Sequence, residues 1–107
     1  MASAELKQEL LVILNEECSE VQKCISKFLR FGEQSTYLVH TPIEAEVADV
    51  LVALNLLLAS GVLNEDLIES YSQKKYKKLT TAETTNIVNA QELLYILEDD
   101  SDFNPLA

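Results

Sequence analysis

The chain has 107 residues, of which 48% are apolar, with only two glycines, two prolines and two cysteines. Eighteen acidic residues against eight basic ones give a formal charge of −10. That length holds one domain with one modest core, and the composition excludes a disordered chain. The charge excludes general nucleic-acid binding, which needs a basic surface. The start, Met-Ala-Ser-Ala-Glu, lacks the basic residues and apolar run of a signal peptide. The longest apolar stretch, Val50 to Ala59, is interrupted by Asn55 and too short to span a membrane. The expectation is a cytoplasmic, all-α protein with neither a nucleic-acid nor a membrane partner.

The first helix is predicted from about Ser3 to Leu29. Leu10, Leu14, Val21, Cys24 and Phe28 follow steps of four and three if Glu17 fills the missing place, so Glu17 falls on the apolar seam itself. Leu6, Ile13, Ile25 and Leu29 are read as widening that face. Cys18 and Cys24 point in different directions on this helix, and no Cys/His cluster supplies zinc ligands, so both are expected to be reduced packing residues.

Gly32 is placed to end the helix, and Phe31 to Thr41 reads as a loop. Thr41-Pro42-Ile43-Glu44 then reads as a start signal, with Thr41 as N-cap, Pro42 in the first helical position and Glu44 closing a capping box. The second predicted helix runs to about Ser60 and is apolar nearly all round. Glu46 and Asp49 are its only charges after the first turn. Such a helix is expected to be buried on most sides, which a monomer of this size covers poorly, so a partner subunit is expected.

Gly61 stops that helix, and Asn64 is placed to cap a third from Glu65 to about Leu79, with Leu67, Ile68 and Tyr71 as its apolar face. The run Lys74-Lys75-Tyr76-Lys77-Lys78 holds half of the basic residues. A polar connector, 80–86, leads to a last helix at about 87–97 and an acidic tail, 98–107. The domain is read as 1–107, with its core at 3–79.

Two acidic pairs stand out. Glu17/Glu20 and Glu46/Asp49 are each spaced i,i+3, so each aims two carboxylates from one side of a helix. Both interrupt apolar surfaces, and unpaired charge facing a core needs a cation. Oxygen-only ligands suit hard ions, Mg²⁺ or Mn²⁺. Glu16, Glu20, Lys23 and Lys27 line one stripe of the first helix, and Arg30 lies beyond them. With Lys75 and Lys78, or Lys74 and Lys77, from the third helix, these cations beside a metal suit a polyphosphate. Phe31 and Tyr37 in the loop are candidates to stack on a base, and His40 to contact a base or ribose.

Glu16-Glu17-Cys18-Ser19-Glu20-Val21, Ser26-Lys27-Phe28-Leu29-Arg30-Phe31-Gly32 and Glu46-Val47-Ala48-Asp49-Val50-Leu51 together resemble the EExxE…ExxD signature of MazG-like all-α nucleoside triphosphate pyrophosphohydrolases, the small phage and bacterial members in particular. Lys75-Tyr76-Lys77-Lys78-Leu79 resembles their downstream lysine motif, and the likeness covers about residues 5–79. It implies a four-helix subunit assembled as a homodimer or homotetramer. It implies that Glu17, Glu20, Glu46 and Asp49 hold Mg²⁺ (or Mn²⁺), and that Glu16 assists or acts as a base beside Glu17 and Glu20. Lys27 and Arg30, with Lys75 and Lys78, are then phosphate contacts. The implied reaction hydrolyses a (deoxy)nucleoside triphosphate to monophosphate and pyrophosphate, with purine (dGTP) preference open. The alternative is a non-catalytic nucleotide-binding or protein-interaction module of the same fold. A nucleic-acid mimic would instead need its acids on an outer surface, whereas Glu17, Glu46 and Asp49 are expected to face inwards.

Overall fold

The computed structural model describes residues 2–32, 36–80 and 90–99. It is all-α: α1 Ala4–Phe31, α2 Thr36–His40, α3 Ile43–Ala59, α4 Glu65–Thr80 and α5 Ala90–Asp99, with no strand among the described residues. The four expected long helices are present. Residues 81–86 of the expected connector, residues 87–89 of the expected last helix, and residues 100–107 of the expected tail lie outside the described residues, whereas Thr80 ends α4 and α5 runs on to Asp99. The chain divides into two compact units, residues 1–64 and 65–107.

In the first unit α1 packs along α3 and touches α2. Ser3 caps α1 by accepting the Leu6 N–H on its hydroxyl at 3.1 Å, which satisfies one of the free donors of the first turn. Gly32 ends the helix at φ 79°, a conformation that other residues avoid, and donates its N–H to the Phe28 carbonyl at 2.8 Å. Leu10 and Cys24 are buried on the expected seam, with Leu14, Glu17, Val21 and Phe28 half-buried beside them. Leu6, Ile13, Ile25 and Leu29 do not widen that face. They are exposed, because α3 covers a single stripe and the neighbouring positions turn away from it.

The segment expected as a loop contains α2, whose Leu38 is buried. Leu38 and Phe28 both line a hollow between this turn and the start of α3. The start of α3 also differs. Pro42 is the N-cap, in extended conformation and without a side-chain capping bond, and helix begins at Ile43. The Pro42 carbonyl accepts from Ala45 N–H at 3.1 Å. Thr41 lies one residue too early to cap, and its carbonyl accepts from the Cys24 thiol at 3.5 Å, with that thiol fully buried. The contact pins the downstream half of α1 to the entry of α3, so the two helices run antiparallel.

Ser60 is the C-cap of α3, and Gly61 follows at φ 81°. The N–H of Val62 bonds the Leu57 carbonyl at 3.1 Å and that of Gly61 the Leu58 carbonyl at 3.2 Å, the paired bonds of a Schellman ending. Only Ala53 and Leu57 of α3 are buried. Of its other apolar residues, Val50, Leu54 and Leu58 are half-buried and Val47, Leu51, Val52 and Leu56 are exposed, because α1 lies along one side of a helix that is apolar on nearly all.

In the second unit α4 packs on α5. Glu65 and Asp66 in the first turn of α4 and Lys77 and Lys78 in the last complement the helix dipole. Leu67 and Tyr71 are exposed and Ile68 half-buried, so the apolar face expected for α4 is mostly uncovered. Leu93, Leu94 and Leu97 of α5 are half-buried. No helix among the described residues is long and apolar enough to cross a membrane.

Candidate metal centre

The antiparallel packing of α1 on α3 brings carboxylate oxygens of Glu17, Glu46 and Asp49 within 4.8 Å of one another. Residues 46 and 49 project from one side of α3, and residue 17 meets them from the seam of α1. Glu17 and Glu46 are half-buried and Asp49 is exposed, so the trio lies at the rim of the packed seam and not inside it. The inward-facing expectation holds in part for Glu17 and Glu46 and gives way for Asp49. Glu20, one turn beyond Glu17, is exposed and outside this 4.8 Å group, as is exposed Glu16.

Electrostatics mark Glu17 as the strained member. Its pKa is raised above the ordinary 4.5, first by burial, then by the charges of Asp49, Glu46, Glu20 and Glu16. All four expected neighbours thus act on one carboxyl group, Glu16 and Glu20 from a distance. The Cys24 thiol is also raised, by burial and then by Glu46 and Glu44, which keeps it protonated as a donor. Cys18 is exposed, and both cysteines are free.

The cations lie downstream on α1. Lys27 is half-buried, and its Nζ sits 5.7 Å from the centroid of the Phe31 ring. The Arg30 guanidinium is 5.1 Å from the same centroid. Both distances are within cation–π range, so Phe31, itself exposed, forms a small cationic platform with them. His40 is exposed at the end of α2, and the side chain of Tyr37 lies outside what is described. Lys75 and Lys78 are exposed on α4, in the second unit, where Lys74 Nζ lies 5.3 Å from the Tyr71 ring centroid.

Two hollows adjoin these groups in the first unit. One, of about 280 Å³, is lined by Phe28, Leu38, Pro42, Ile43 and Glu44. Its one sequence signal is the apolar Leu38-Val39 pair inside a segment otherwise read as a loop. The other, about 620 Å³, runs along α1 upstream of the carboxylates and is lined by Glu5, Gln8, Glu9, Val12, Ile13 and Glu16. Its signal is a run of positions at steps of three and four ending at Glu16. No protein-family model, curated protein or solved structure matches this chain.

Proposed function

We propose that the chain is a divalent-metal-dependent nucleoside triphosphate pyrophosphohydrolase. The observation that carries the reading is the convergence of three carboxylates from two helices within 4.8 Å. The donor set fits the group: all-oxygen ligands suit Mg²⁺ or Mn²⁺, and burial first, then the neighbouring carboxylates, raise the Glu17 pKa, as a bound cation would offset. Glu17, Glu46 and Asp49 would hold the ion, with Glu20 as a further ligand. When bound, such an ion makes water a competent nucleophile near neutral pH and offsets charge on the phosphoryl oxygens.

The chain's own residues supply the rest. Glu16, exposed next to Glu17, would take a proton from the attacking water. Lys27 and Arg30 hold phosphate oxygens at the far end of α1. Attack at the α-phosphorus breaks its bond to the bridging oxygen, and the products are nucleoside monophosphate and pyrophosphate. A second copy of the chain would cover the exposed Leu51, Val52 and Leu56 of α3, giving a homodimer or a pair of dimers.

Product analysis across a panel of NTPs and dNTPs, dGTP included, with Mg²⁺ or Mn²⁺, tests the reading. Monophosphate and pyrophosphate in equal amounts are expected. No product from any member of the panel would overturn it in favour of a non-catalytic module.

A further inference from the structure

The hollow along α1 and the cations of α1 belong to one side of the helix. Glu9, Val12, Glu16, Glu20, Lys23 and Lys27 recur at steps of three and four, which sets them along a single stripe. The upstream half of that stripe is the 620 Å³ hollow, within the roughly 300–1,000 Å³ of small-molecule sites. Gln8, Val12 and Ile13 give it an amide and an exposed aliphatic surface, and Glu5, Glu9 and Glu16 edge it with carboxylates. The downstream half is cationic and ends at the Lys27–Phe31–Arg30 platform. Glu17, which joins Glu46 and Asp49, follows Glu16 in the chain about 100° round the helix, so the carboxylate cluster lies at the level between these halves on the neighbouring, α3-facing side of α1. From Glu16 to Lys27 the helix rises about 16 Å.

Charge gives the stripe a direction. Phosphates laid over three carboxylates are repelled, whereas an uncharged nucleoside with a flat, partly apolar base is not. At the other end the cations attract phosphates, and the Phe31 ring is already engaged by Lys27 and Arg30. We infer that a nucleoside triphosphate lies along α1 in one polarity, base and sugar over Gln8, Val12 and Ile13, and β- and γ-phosphates toward Lys27 and Arg30. The inference rests on the nucleotide reading of the carboxylate cluster. It moves the base away from Phe31, Tyr37 and His40 to a surface upstream of the carboxylates.

The test is steady-state hydrolysis of a nucleoside triphosphate with Mg²⁺, using inorganic tripolyphosphate as a competitive inhibitor that carries no nucleoside. Gln8→Ala and Val12→Asp are expected to raise KM about tenfold while kcat and the tripolyphosphate inhibition constant stay within about twofold of wild type. Arg30→Ala is expected to weaken tripolyphosphate inhibition. Both groove side chains are exposed, and circular dichroism checks the fold; if Val12→Asp is misfolded, Gln8→Ala decides alone. Unchanged KM in the groove variants, with a raised KM in Phe31→Ala, would reverse the polarity and overturn the inference alone. A wild-type protein that hydrolyses no nucleoside triphosphate would overturn the proposed function and this inference with it.

Discussion

Glu17 on α1 and Asp49 on α3 present carboxylate oxygens within 4.8 Å of each other, and the Asp49 charge is the strongest of the charges that raise the Glu17 pKa. Two like charges held this close by helix packing oppose the fold unless a proton or a cation joins them.

That relationship has a pH signature. A glutamate whose folded pKa lies above its unfolded value binds more protons folded than unfolded between the two. The stability it contributes is therefore fully present below the unfolded pKa and lost as pH rises through the raised folded value. In metal-free protein, the thermal midpoint of wild type relative to Glu17→Gln should fall as pH rises from about the ordinary 4.5 upward. Saturating Mg²⁺ should reverse the ranking at neutral pH. A difference between the two proteins that is flat with pH would contradict the coupling.

The two cysteines should separate kinetically. Cys18 is exposed, whereas Cys24 is fully buried, donates to the Thr41 carbonyl and has its pKa raised. Since the thiolate is the reactive form, a thiol-specific chromogenic reagent should modify one cysteine quickly. The second should react only at the rate of opening or unfolding. Two fast thiols would mean that the Cys24–Thr41 pin between α1 and α3 is not formed.

Core and surface leucines should differ sharply. Leu57 is fully buried, and Leu57→Ala is expected to cost roughly 2–5 kcal/mol in urea unfolding. Leu29, 76% exposed, had the same standing in the sequence pattern, yet Leu29→Ala should stay within about 0.5 kcal/mol.

The uncovered side of α3 bears on assembly. Val52 and Leu56 are 57% and 46% exposed, so a second copy is expected to bury them. Native mass measurement should give a multiple of 12.0 kDa, and Val52→Glu with Leu56→Glu should shift the species toward monomer with helix content retained. A wild-type monomer would remove the second copy from the reading.

Much of this was legible in the residues themselves. The period of three and four in α1 located Leu10, Glu17 and Cys24 on the seam, and the i,i+3 spacing of Glu46 and Asp49 put both on one side of α3. Gly32 and Gly61 marked the helix ends, because both take positive φ. What was hidden depended on partners. The pattern of α3 shows that it is apolar all round, not which side α1 covers, so it overstated burial. Leu6 and Leu29 are apolar at seam-like spacing yet stay exposed, for the same reason. The turn at Thr36–His40 is too short for a helical period to register, so the burial of its Leu38 has no periodic signal. The capping box read at Thr41 does not form, because helix starts one residue later with Pro42 as N-cap, and the Cys24 thiol bond to the Thr41 carbonyl is a tertiary contact that no local rule contains.

The most direct measurement is the Mg²⁺-dependent rate of monophosphate release by wild type, Glu46→Gln and Asp49→Asn, with circular dichroism run beside it. The expected result is a loss of about 100-fold or more in each variant at unchanged helix content. Wild-type rates in both variants would contradict the assignment of these carboxylates to the metal and to the reaction.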